Sequence, residues 1–109
     1  MPQHKKNILI VDDDSSIRAI LDNILSHRGY NCNLACNGEE GLELLVNNHK
    51  KIDLVISDLY MPKIDGEEFL KLSKIQGIDT PFLFLSQQHA QPSLHPLEGE
   101  AVEEAVEAE

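Results

Sequence analysis

Three unbroken apolar runs punctuate the chain: Ile8-Leu9-Ile10-Val11, Leu54-Val55-Ile56 and Phe82-Leu83-Phe84-Leu85. Short runs that do not alternate with polar residues suit strands covered on both faces, as in a parallel sheet. Between the runs the period changes. Ile17, Ile20, Leu21, Ile24 and Leu25 follow the i, i+3, i+4, i+7, i+8 spacing of an amphipathic helix. Asp14, Ser15 or Ser16 can cap its start, and Gly29 closes it. A weaker strand, Tyr30 to Ala35, comes next. Asn37-Gly38 then turns the chain into a second helix marked by Leu42, Leu45 and Val46. A third helix follows Gly66, with Phe69, Leu72 and Ile75 three apart, and ends near Gly77. Strands alternating with helices through short connections predict an α/β fold: a doubly wound parallel sheet with helices on both faces.

After the fourth strand the pattern stops. Ser86 to Leu97 contains Pro92 and Pro96 without a hydrophobic period and reads as a loop. Residues 98–109 are mostly Glu, Ala and Val, enough for a marginal helix at best. The expected division is therefore a domain over residues 1–86 and a Pro-containing loop with an acidic tail over 87–109. A fifth apolar run is missing from the sequence, so a fifth strand and last helix are expected to be absent.

Charge sharpens this division. Nineteen acids against nine bases give the 109 residues a net charge of −10. Six of the acids and none of the bases fall in 98–109, which leaves residues 1–97 at −4. So acidic a chain is a poor direct partner for nucleic acid or for an anionic membrane surface, both of which select clustered Lys and Arg. No apolar run approaches the ~18–20 residues of a membrane span, and the stretch after Lys5-Lys6 breaks at Asp12 rather than forming a leader. Two cysteines, Cys32 and Cys36, make no disulfide framework, so a cytoplasmic location is the expectation.

The chemistry concentrates at strand ends. Asp12-Asp13-Asp14 directly follows the first strand, Asp58 follows the third after Ser57, and Ser86 closes the fourth. Ligands of open parallel sheets bind at the carboxyl ends of the strands, where the strand order reverses, so the connectivity gathers these residues at one edge. Clustered carboxylates repel unless a cation neutralises them, and hard oxygen donors suit Mg²⁺ or Mn²⁺. A carboxylate beside such a metal can also attack phosphorus to form an acyl phosphate. Taken singly, each Asp is equally a turn former or a helix cap.

Ile8 to Asp14, followed by a helix carrying Arg18, resembles the opening of bacterial response-regulator receiver domains of two-component systems. Ser57-Asp58-Leu59-Tyr60-Met61-Pro62-Lys63-Ile64-Asp65-Gly66 resembles their phosphoacceptor segment. Asn37-Gly38-Glu39-Glu40-Gly41-Leu42 resembles the start of their second helix, with Gly41 where Ala is usual. The resemblance covers about residues 6 to 86 and implies a flavodoxin-like fold. It also implies a phosphorelay role without stand-alone enzyme activity, with a histidine kinase or phosphotransfer protein as partner. Carried over residue by residue, it makes Asp58 the phosphoacceptor and Ser86 the switch hydroxyl. Asp13 would bind Mg²⁺ directly, Asp12 would act mainly through water, and the backbone carbonyl of Tyr60 would be a further metal ligand.

The sequence departs from the family at its far end. Receivers carry a Lys at the end of a fifth strand, whereas the last Lys here is Lys74, and Gln87-Gln88 replace the small residues usual after the switch hydroxyl. This puts phosphorylation in doubt but not metal binding, which needs only the acids. The alternative expectation is a phosphorylation-impaired, receiver-like module that acts by dimerisation or partner docking. An apolar fourth strand at a sheet edge invites pairing, giving a homodimer through that edge or through exchange of the C-terminal segment. Lys63, five residues after Asp58, is either a partial stand-in for the missing cation or a solvated loop lysine.

Overall fold

The computed structural model of the chain describes residues 5–85. Ser86, the expected loop and acidic tail over 87–109, and the expected absence of a fifth strand and last helix all lie outside the described residues. Within them run β1 (Asn7–Val11), α1 (Ser15–His27), β2 (Asn31–Ala35), α2 (Gly38–Asn48), β3 (Leu54–Asp58), α3 (Gly66–Ile75) and β4 (Phe82–Leu85). All strand pairs are parallel and the order is β2-β1-β3-β4. The chain first winds outward from β1 to β2, then returns to lay β3 on the other side of β1. The order therefore reverses between β1 and β3.

Unbroken apolar runs follow directly from this arrangement. Ile8 and Ile10 of β1 face α1 and pack with Ile17, Leu21, Leu25, Leu54 and Ile56. Leu9 and Val11 face the other way, against Leu45 of α2, Phe69 of α3 and Val55. All four of those β1 residues are fully buried, and a buried side chain of this size stabilises the fold by about 1.5–3 kcal/mol. Phe82 of β4 packs edge-on against Phe69 at 5.0 Å and tilted against Phe84 at 5.8 Å. Phe82, Leu83 and Phe84 are half-buried, Leu83 packing against the α1-side core.

Each helix starts at the carboxyl end of the sheet with a side-chain cap. The Asp14 carboxylate accepts from the Ser16 and Ile17 amides, Asn37 from Glu40, and Asp65 from Glu68. Such caps satisfy amides that a helix start leaves without partners. Gly29 and Gly77 follow α1 and α3 at φ of 93° and 79°, the left-handed conformation that glycine adopts without steric cost.

Two sequence expectations need correction. β3 runs through Ser57 to Asp58 instead of ending at Ile56, because Ser57 and Asp58 pair with Phe84 and Leu85 of β4. In α3 the inward face is Gly66, Phe69 and Ser73, while Ile75 is 76% exposed. Steps of three fall short of a full helical turn, so two of them carry Ile75 about 120° away from Phe69. A step of four keeps Ser73 on the buried face.

Candidate functional site: an acidic pocket at the strand reversal

Asp12 follows the last residue of β1, and Asp58 is the last residue of β3. The reversal of strand order sets them side by side. Asp12 is 1% exposed and Asp58 5% exposed, whereas Asp13 faces solvent. A carboxylate oxygen from each of the three lies within 4.8 Å of the others. Of the residues that the sequence placed at strand ends, the topology groups Asp12, Asp13 and Asp58; Asp14 caps α1, and Ser86 lies outside the described residues.

The backbone holds this loop tightly. The Asp12 amide donates to the Ala35 carbonyl at 3.1 Å, and the Asp14 amide donates to Asp12 Oδ1 at 2.9 Å. The Asp12 carbonyl accepts from Arg18 Nη1 at 2.6 Å. Asp12 Oδ2, by contrast, is buried without a hydrogen-bond partner among the described residues. Asp58 Oδ1 receives a long contact from the Tyr60 amide, 3.4 Å, and the Leu59 backbone also acts on its carboxylate.

Burial pushes the Asp12 carboxyl up to about 7, against the pull of the Asp14 amide and reinforced by the charges of Asp58, Asp13 and Asp14. Burial also raises Asp58; the Tyr60 amide opposes it and the Asp13 charge adds to it. Three carboxylates this close, one with an oxygen that nothing bonds, form a site that a hard divalent cation would complete. The donor set is all oxygen, which fits Mg²⁺ or Mn²⁺ and not a thiophilic metal.

The loop after Asp58 is shaped around the same point. The Gly66 amide donates to the Leu59 carbonyl at 2.9 Å, and a Cβ on Gly66 would lie 2.6 Å from the Asp58 carbonyl. Only glycine lets α3 start so close to β3. Lys63 takes φ = 72° in this loop, and its Nζ pairs with Glu39 Oε1 of α2 at 3.5 Å, both side chains 61% exposed. Tyr60 adjoins the pocket through its amide while its side chain is 64% exposed. Cys32 and Cys36 are both free, and burial raises the Cys32 thiol. Sequence reasoning noted Arg18 but assigned it no role. Its bond to Asp12, six residues away, depends on how the β1–α1 loop turns, and spacing does not reveal that.

A doubly wound parallel sheet carries a three-carboxylate pocket where its strand order reverses. The chain belongs to the response regulator receiver domain family, whose pattern it matches over residues 8–103. It is 42% identical over 79 residues to the response regulator MprA of Mycobacterium sp. (strain KMS), covering 72% of this chain and 34% of that protein. The chain thus spans about a third of the length of that relative. Among solved structures it resembles the Vibrio cholerae chemotaxis protein CheY4, with a TM-score of 0.71 and 33% identity over 90% of this chain and 80% of that one. It also resembles the CheX–CheY–BeF₃–Mg²⁺ complex from Borrelia burgdorferi, with a TM-score of 0.75 and 25% identity over 94% and 87% of the two chains. The flavodoxin-like fold and the receiver-domain family expected from the sequence are both borne out. The family is regulatory in general. Among the described residues, no helix is long and apolar enough to cross a membrane.

Proposed function

We propose that this receiver accepts a phosphoryl group on Asp58 from the phosphohistidine of a cytoplasmic histidine kinase or phosphotransfer protein. The observation that carries this reading is the convergence of Asp12, Asp13 and Asp58 within 4.8 Å, with a buried Asp12 oxygen left unbonded. Asp12, Asp13, Asp58 and the backbone carbonyl of Tyr60 would hold Mg²⁺. Bound there, the ion would neutralise charge on the transferring phosphoryl oxygens. The Asp58 carboxylate attacks phosphorus, forming the P–O bond as the P–N bond of the donor breaks. The departing imidazole keeps that electron pair and takes up a proton. Asp58 must be ionised to attack; burial works against this, and a bound cation would favour the ionised form. Ser86 follows the last residue of β4, which pairs with Asp58 through Leu85. We assign it the hydroxyl that hydrogen-bonds the phosphoryl group.

Incubation with Mg²⁺ and acetyl phosphate, read by intact mass, should give a phosphoryl adduct that Asp58→Asn lacks. No adduct, together with no beryllofluoride binding, would instead support the docking module that works without phosphorylation.

A further inference from the structure

The Asp12 carbonyl belongs to the peptide that joins Asp12 to Asp13, and the orientation of that peptide plane decides where both carboxylates start. Every other polar atom of Asp12 except Oδ2 is held by backbone: its amide by Ala35 and its Oδ1 by the Asp14 amide. The carbonyl alone is held by a side chain, Arg18 Nη1 at 2.6 Å, in a part-buried setting. The same residue's amide donates to the Asp14 carbonyl at 3.1 Å. That second bond is the first i→i−4 bond of α1 and is independent of the side chain, so the grip specific to arginine is the guanidinium on the Asp12 carbonyl.

We propose that Arg18 is a positioning residue for the metal pocket, fixing the Asp12–Asp13 peptide so that the two carboxylates converge on a common cation. This rests on reading the pocket as a divalent-cation site. A guanidinium suits the task because it is always charged and its donors lie in a rigid plane, and a charge-assisted bond of this length is strong.

The proposal has a sign that separates it from a plain charge effect. Arg18 is a cation whose guanidinium reaches the backbone of the acidic loop at the Asp12 carbonyl. If it acted only through its field, removing it would make the pocket more negative and tighten cation binding. If it positions the loop, removing it loosens cation binding despite the lost positive charge.

The experiment measures Mn²⁺ affinity of the full chain by electron paramagnetic resonance and by Mg²⁺ competition, for wild type, Arg18→Met and Arg18→Lys. Arg18→Met keeps most of the stem and loses the donors; it should weaken Mn²⁺ binding about tenfold, the low end for groups that orient metal ligands. Arg18→Lys, which retains a charged donor able to meet a carbonyl, should recover part of the loss. In the metal-free protein the Asp13 amide resonance should shift or broaden in Arg18→Met, while amides at the far end of β1 stay in place. Unchanged or tighter Mn²⁺ binding in Arg18→Met, with wild type binding normally, overturns the positioning role alone. A wild-type chain that takes up neither Mn²⁺ nor Mg²⁺ overturns the pocket reading and this role together. Should Arg18→Met fail to fold, Arg18→Lys decides: affinity equal to or above that of wild type rejects the role, and an intermediate loss supports it.

Discussion

The two ends of the parallel sheet solve the same polar problem in opposite ways. At the amino end, the Asn7 amide donates to Asp53 Oδ2 at 2.7 Å, the Asp53 amide returns to the Asn7 carbonyl at 2.8 Å, and Asn7 Nδ2 donates to the Lys51 carbonyl at 2.8 Å. The left-handed turns that end α1 and α3 at this end fall on Gly29 and Gly77. At the carboxyl end, Asp12 Oδ2 is buried and unbonded, Asp12 and Asp58 are pushed toward the protonated form, and the left-handed residue is Lys63. One end spends its polar groups on holding the strands together. The other keeps an unbalanced cluster of charge, which costs stability and leaves a place for a cation. Strain and unpaired polarity that persist inside a well-packed fold cluster where proteins bind ligands.

The largest test of this contrast is the pH dependence of stability. The Asp12 pKa is raised by folding, from 3.8 to about 7, so the folded chain binds a proton that the unfolded chain releases. The stability linked to this group is complete below about pH 4 and is lost as pH rises through about 7. Three units correspond to roughly 4 kcal/mol at most, and relaxation of the pocket reduces the observable part to about 1–3 kcal/mol. Urea denaturation of metal-free protein should show this decline between about pH 4 and 7. Saturating Mg²⁺, which binds the ionised pocket, should flatten it, and Asp12→Asn should remove most of it while weakening Mg²⁺ binding. A metal-free stability curve that rises over this window would refute the account of the carboxyl end.

Much of this contrast is visible in the sequence, and the missing parts have a common cause. The apolar runs over 8–11 and 54–56 identify central strands because β1 and β3 are covered on both faces. Asp12, Asp13 and Asp58 are found because connectivity alone puts the ends of parallel strands together. Side-chain geometry is less legible. The unbonded oxygen of Asp12 depends on which of its two oxygens the Asp14 amide reaches, and the Arg18 bond depends on the path of a three-residue loop. The inward face of α3 is misjudged because Ser73, a polar residue, holds a buried position by donating its hydroxyl to the Leu70 carbonyl at 2.8 Å. A hydrophobic count passes over such a residue.

A smaller effect tests the amino end by itself. Asp53→Ala removes the carboxylate that receives the first amide of β1, an exposed charge-assisted bond worth about 1 kcal/mol. Chemical denaturation should register that loss at any pH from 6 to 8. Mn²⁺ affinity should stay within about twofold of wild type, since no pocket ligand moves. A tenfold change in metal affinity would mean that the two ends are coupled along β1 and do not act separately.

The smallest effect concerns Lys63, the one residue other than glycine with positive φ among the described residues. A left-handed conformation costs an L-residue roughly 1–2 kcal/mol, which Lys63→Gly would relieve. Two losses oppose this gain. Glycine gives the unfolded chain more freedom, a cost of about 0.5–1 kcal/mol. The ion pair to Glu39 also goes, and with both side chains 61% exposed it contributes about 0–1 kcal/mol. These terms nearly cancel, so Lys63→Gly should change stability by less than about 1 kcal/mol in thermal or urea melts. Lys63→Ala keeps the strain and loses the pair, so it should be the less stable of the two. If the order is reversed, the left-handed backbone at Lys63 costs less than the freedom that glycine adds to the unfolded chain.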